Sequence, residues 1–184
     1  LQEVVFPSTL KYIEYGAFYG CTSLQKISFS GENNITTINQ NAFDQCDLQG
    51  TLDLPNVYVI SNYAFAGNKD LESVVLPATL QTIGEYAFAG CESLSNVQIG
   101  ASKVKYGAYC FMGCTNLTQF PTINAALIPA GMFYRSGLTS VTIGAEVNAI
   151  NEFAFTDTPL ASITVEQGNT AFKVQTADYV LSAD

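Results

Sequence analysis

The chain has no histidine, no tryptophan and only two methionines, and its charged fraction is 12%. Without His it lacks the side chain that most often serves as general base and metal ligand near neutral pH, so Ser-His-Asp triads and His-built zinc sites are excluded. Seven Lys and Arg against 16 Asp and Glu give a formal net charge of −9, which repels the phosphate backbones on which nucleic-acid affinity rests. No apolar run approaches the roughly 20 residues needed to span a bilayer. The opening stretch, Leu1 to Leu10, has neither the basic nor the apolar region of a signal peptide, and the ends read as those of a piece cut from a longer or processed chain. CxxC spacing, an Asp-x-Asp-x-Asp-Gly calcium loop and a Gly-rich phosphate loop after a strand are all missing, so no metal or cofactor is implied. What is present is 184 residues with 48% hydrophobic content, too apolar and too weakly charged to stay unfolded.

The apolar residues fall into a repeat. Phenylalanine recurs at Phe18, Phe43, Phe65, Phe88, Phe111, Phe133 and Phe155, every 22 to 25 residues. Five residues before each lie Ile13, Ile38, Ile60, Ile83, Tyr106, Ile128 and Ile150, and one before lie Ala17, Ala42, Ala64, Ala87, Cys110, Met132 and Ala154. Three residues after come Cys21, Cys46, Asn68, Cys91, Cys114, Ser136 and Thr158. Each column keeps one class of size and polarity, as stacked coils require.

Between the Phe positions runs a second pattern, seen as Leu24, Ile27, Phe29, then as Leu71, Val74, Leu76, and as Leu94, Val97, Ile99. Its alternating end reads as a short strand, closed by Pro7, Pro55 and Pro77 or by Gly100 and Gly144. Too little chain separates these strands for a full crossover helix with its loops, so the pattern predicts a mainly β repeat solenoid with parallel strands. The Ala-Phe-x-Gly-Cys stretch, as in Ala87, Phe88, Gly90 and Cys91, is then the return side, either a one-turn helix or a tight turn. Eight strands at ~4.8 Å per step give a slab about 35–40 Å long. Coil two carries Leu48 one residue too far from Leu52, which predicts a bulge near Gln49 to Thr51. In coil five Pro121 follows Phe120, and a proline has no N–H for a ladder, so that strand should be short or irregular.

The sequence resembles the BspA-like (Treponema pallidum type) leucine-rich repeats, whose coil reads approximately L-x-x-[IV]-x-[IL]-P-x-x-[LV]-x-x-I-x-x-x-A-F-x-x-C. The clearest match runs from Leu71 through Val74, Leu76, Pro77, Leu80 and Ile83 to Ala87, Phe88 and Cys91. The resemblance implies a right-handed superhelix with one parallel sheet, and short turns or one-turn helices on the return side. It covers residues 1–166, about seven coils and a partial first one; residues 167–184 are then a C-terminal extension or the start of a cap. That tail, with Asn169, Phe172 and the run Asp178, Tyr179, Val180, Leu181, looks like the segment that follows the last such coil in surface proteins of gut and oral Bacteroidetes, except that Tyr179 stands where Gly is usual. The family also implies a bacterial protein that is anchored at the outer membrane or secreted and that adheres to a protein, such as a host extracellular-matrix protein, or to a glycan.

Side-chain alternation then places two columns on the outer face of the long strands. They supply the candidate binding surface: Lys26, Ser28, Thr51, Asp53, Ser73, Asn96, Gln98, Gln119, Ser140 and Thr142. Hydroxyls and amides dominate, which suits hydrogen bonding to a peptide or glycan and offers no catalytic group. Cys21, Cys46, Cys91 and Cys114 share one column, open to three readings: a buried thiol ladder, disulfides between adjacent coils (Cys21 with Cys46, Cys91 with Cys114), or a soft-metal site. Tyr63, Tyr86, Tyr109 and Phe153 form a further aromatic column, either packed ring on ring or available as contact points. The expectation is a non-enzymatic binding module. The alternative is a rigid stalk that presents another domain, and an enzyme built on Cys110 or a carboxylate pair finds no support in the pattern.

Overall fold

A coil of 22 to 25 residues cannot bury its own apolar side, and stacking on its neighbours closes that side off. The computed structural model, which describes residues 1–31 and 34–172, shows this arrangement: seven turns of a parallel β-solenoid with no helix among the described residues. Long and short strands alternate through most of the chain. The first seven are β1 (Glu3–Phe6), β2 (Tyr12–Ile13), β3 (Lys26–Phe29), β4 (Thr37–Ile38), β5 (Gly50–Asp53), β6 (Val59–Ile60) and β7 (Leu71–Leu76). The remainder are β8 (Thr82–Ile83), β9 (Asn96–Ile99), β10 (Lys105–Tyr106), β11 (Leu127–Ile128), β12 (Ser140–Ile143), β13 (Ala149–Ile150) and β14 (Ser162–Val165).

The long strands form the expected parallel sheet, in three pieces ordered β1-β3, β5-β7-β9 and β12-β14. The two-residue strands add a second parallel ladder, β2-β4-β6-β8-β10, continued by β11-β13. Both breaks in the regular pattern that the sequence marks are visible. Gly50 pairs with Leu71 but Thr51 pairs with Ser73, so the register shifts at the expected place, and the residue left without an opposite number is Glu72 on β7. Coil five has no long strand; only an isolated bridge joins Ile123 to Ile143. Pro121 withholds a donor there, and Phe120 turns inward against Phe111, Phe133 and Tyr106 at centroid distances of 5.0, 4.9 and 6.2 Å. Among the described residues no backbone hydrogen bond joins Asn96–Ile99 to 119–122.

The return side is a run of tight turns. The residues two before and two after each column Phe take left-handed backbone angles, with φ between 55° and 72°. The alternation aims three N–H groups per coil at the next one: in coil three Tyr63, Phe65 and Gly67 donate to the carbonyls of Glu85, Ala87 and Ala89, each at 2.8 Å. The turns therefore form a ladder of their own, which satisfies backbone that would otherwise be buried without partners. Inside, the Phe rings stack continuously from Phe18 to Phe155, with centroids 5.1–5.9 Å apart and planes within 13°. Phe43, Phe65, Phe88, Phe111 and Phe133 are fully buried, and the end rings Phe18 and Phe155 are partly so. Beyond coil seven, Asn169 donates to the carbonyls of Gly144 and Val147 at 2.9 Å, and Phe172 packs on the core. Asp178, Tyr179, Val180 and Leu181 lie outside the described residues.

Candidate functional site

The outer face of the long strands is set by register. Thr51, Ser73 and Asn96 stand side by side on β5, β7 and β9, as do Asp53, Val75 and Gln98 one pleat further on. Thr51, Asp53, Asn96 and Gln98 are exposed, and Ser73 is half-buried where the Asn96 amide donates to its Oγ at 3.0 Å. The neighbouring pieces carry the other candidates. Lys26 is exposed and pairs with Glu3 at 3.5 Å, and Ser28 donates to the same carboxylate at 3.4 Å. Ser140 and Thr142 are half-buried and align with Ser162 and Thr164. Gln119 is exposed but lies outside any strand, so it does not complete a rung with Asn96. Nine of the ten candidates thus fall into three groups, the central three-stranded one being the widest, and Gln119 stands apart. Beside the missing strand of coil five lies a shallow cleft lined by Ile99, Val104, Tyr106, Pro121 and Asn124.

The cysteine column is a row of donors. Cys46, Cys91 and Cys114 direct their thiols to the carbonyls of Phe18, Phe65 and Phe88 at 3.1, 3.4 and 3.3 Å. Each acceptor belongs to an earlier coil. Asn68 does the same work in coil three, donating at 2.8 Å to the carbonyls of Phe43 and Phe65, while its Oδ1 accepts the Leu48 N–H at 3.1 Å. All five thiols are free. Burial pushes the Cys46 and Cys91 thiols up to about 12 and raises Cys110 and Cys114 as well. A thiol held neutral at physiological pH is a poor nucleophile and a poor metal ligand. Among the described residues no group of three Cys, Asp or Glu is placed to hold a metal ion, and no helix is long and apolar enough to cross a membrane.

On the aromatic column, Tyr63 stacks on Tyr86 at 4.8 Å and 7°, and Tyr86 on Tyr109 at 5.1 Å and 9°. Phe153 does not extend this ladder: Gly131 intervenes, and a Cβ there would strike the Tyr109 ring. Phe153 is instead 55% exposed. Tyr134 meets Tyr109 edge to face at 6.4 Å and carries the Arg135 guanidinium over its ring at 4.9 Å. The three stacked tyrosines have φ of 57°, 55° and 58°, in a column where other coils place Gly16, Asn41, Gly131 and Phe153. That backbone costs an ordinary residue about 1–2 kcal/mol. A stacked aromatic pair returns about 0.5–1.5 kcal/mol beyond area burial, so two stacks offset three such backbones only in part. The left-handed column was readable from the Gly and Asn it contains, a signal that a reading by hydrophobic period passes over.

A sequence model of the BspA type leucine rich repeat region matches the chain in six copies, over residues 1–118 and 58–178. Among solved structures, a leucine rich cell surface protein from Faecalibacterium prausnitzii is similar with a TM-score of 0.56 at 20% identity, over 90% of this chain and 60% of that one. The pneumococcal vaccine antigen PcpA matches with a TM-score of 0.47 at 18% identity, over 99% of this chain and 61% of that one. A leucine-rich repeat protein from Bacteroides ovatus matches with a TM-score of 0.40 at 18% identity, over 93% of this chain and 65% of that one. The chain therefore spans less than two thirds of each of these proteins. No curated protein matches it.

Proposed function

Since the chain belongs to the BspA-type leucine-rich-repeat family, we propose that it is a non-enzymatic binding module of a bacterial surface or secreted protein, meeting its partner on the outer face of the long strands. The observation that carries this reading is the central patch, where Thr51, Ser73 and Asn96 beside Asp53 and Gln98 are held in register on a rigid three-stranded sheet. Hydroxyl and amide groups fixed on strands lose little freedom when a partner hydrogen-bonds to them, which is what makes a preorganised surface effective. Residues 1–166 form the module in this reading and the remainder its C-terminal extension. The partner is a protein, host extracellular-matrix proteins included, or a glycan.

The test is a binding screen by biolayer interferometry, with immobilised extracellular-matrix proteins and a glycan array. A hit whose affinity falls about tenfold or more in Thr51→Ala/Ser73→Ala/Asn96→Ala/Gln98→Ala supports the assignment. A hit that this variant leaves untouched removes the strand face from it. A second reading, a rigid spacer, is favoured by the unbroken Phe stack. It gains if the screen finds no partner and the full-length protein carries a separate binding domain.

A further inference from the structure

We propose that Tyr63, Tyr86 and Tyr109 form the register of a second site, one that binds an extended, uncharged polysaccharide with one sugar unit per coil. The inference rests on the reading above only in taking the protein to work outside the cell, and it uses a different face. Bulky residues in a left-handed backbone gather where function holds them, and three consecutive coils place tyrosine at a position that Gly16, Asn41, Gly131 and Phe153 fill elsewhere. The rings are stacked, so their edges and hydroxyls, not their faces, are turned outward. Among the described residues none of these three hydroxyls has a protein hydrogen-bond partner, and none is buried. Three donors and acceptors thus stand in a row at the 4.8 and 5.1 Å spacing of the stacked rings.

At the far end Tyr134 meets Tyr109 edge to face, and the Tyr109 ring fills the space that a side chain at Gly131 would take; at the near end the Asn41 amide is folded onto Asp44 at 2.7 Å. The spacing selects the occupant. An extended peptide repeats its side chains on one face every ~6.6–6.8 Å and drifts out of step within two coils. A helix docks through an apolar face, which a row of hydroxyls does not meet. One unit of an extended 1,4-linked sugar chain advances about one coil step, and its own hydroxyls can give or accept a bond at every rung. Anionic polymers are disfavoured by the net charge of −9 and by exposed Glu85 beside Tyr86.

Isothermal titration of the 184-residue chain with cellohexaose, xylohexaose and chitohexaose tests the site, with maltohexaose, whose α-linkages curl the chain, as comparison. At least one β-1,4-linked hexasaccharide should bind about tenfold more tightly than maltohexaose. Tyr63→Phe/Tyr86→Phe/Tyr109→Phe, which keeps the rings and removes the hydroxyls, should weaken that binding about tenfold with the melting temperature unchanged. The ring signals of the three tyrosines should shift in NMR spectra of the unmodified chain, a readout that stands even if the triple variant fails to fold. Binding of none of the β-linked sugars, binding without those shifts, or full affinity in the folded triple variant overturns the proposal. Asn96→Ala/Gln98→Ala should leave sugar binding unchanged; a loss there places the sugar on the strand face, supporting the function proposed above and overturning this one.

Discussion

The column three residues after each Phe shows how one position can be filled by different side chains for one purpose. Cys46, Cys91 and Cys114 and Asn68 all donate to Phe carbonyls of earlier coils, and Thr158 donates to the Phe155 carbonyl of its own. A thiol is a weak donor but a good space-filler, so it suits a buried slot with one carbonyl to satisfy. Asn68 is needed where coil two is irregular, because the Leu48 N–H also requires an acceptor. The neutral thiol is the form that fits, and this has a pH consequence. Cys91 rises from the ordinary 9.0 to about 12 because burial disfavours its charge. The folded state then keeps a proton that the unfolded state gives up, so this stability is complete below pH 9 and is lost as pH climbs toward 12. The loss reaches about 1.4 kcal/mol per pH unit for each such thiol. Melting temperatures followed from pH 8 to 11 should fall, and Cys91→Thr, which retains a donor, should fall less steeply. Parallel curves for the two proteins contradict the assignment.

At the level of elements, coil spacing is held by backbone contact as much as by side chains. Gly84 lies so close to the preceding coil that a Cβ would stand 2.6 Å from the Asn62 nitrogen. Its neighbour Glu85 donates its N–H to Asn62 Oδ1 at 2.9 Å, so this coil cannot simply swing away. Gly84→Ala should therefore cost about 1–3 kcal/mol, as overpacking does. That is a drop of about 3–10 °C in a chain of this size, measurable by calorimetry. An unchanged melting temperature would show that the coils separate freely there. The same rigidity explains why coil five loses its strand instead of deforming: Phe120 is fixed among Phe111, Phe133 and Tyr106, and Pro121 cannot repair the ladder.

At the scale of the whole molecule, each coil packs chiefly on its neighbours, with the Lys103–Glu146 ion pair at 2.8 Å reaching across the strandless coil five, so stability is largely a sum of local terms and fades at the ends. Phe43 to Phe133 are fully buried while Phe18 and Phe155 are partly so. Hydrogen exchange followed by mass spectrometry should show the turn amides of coils three to five protected longest, with coils one and seven opening first. Uniform protection from end to end would mean one cooperative block. Much of this architecture was legible in the sequence, because a repeat samples every structural position several times and reveals each as a column. The Phe stack, the shifted register at Gly50 and the lost strand at Pro121 could all be read that way. The outward residues were legible one strand at a time, but their division into three groups was not, since a break in a sheet depends on which backbones actually meet. Hydrophobic period and spacing by themselves determined the solenoid and its core columns. Only the tertiary structure decided that the return side is a hydrogen-bonded ladder of left-handed turns, and that three tyrosines stack with their hydroxyls outward. Those features follow from backbone angles and from contacts between coils more than 20 residues apart, which no local pattern specifies.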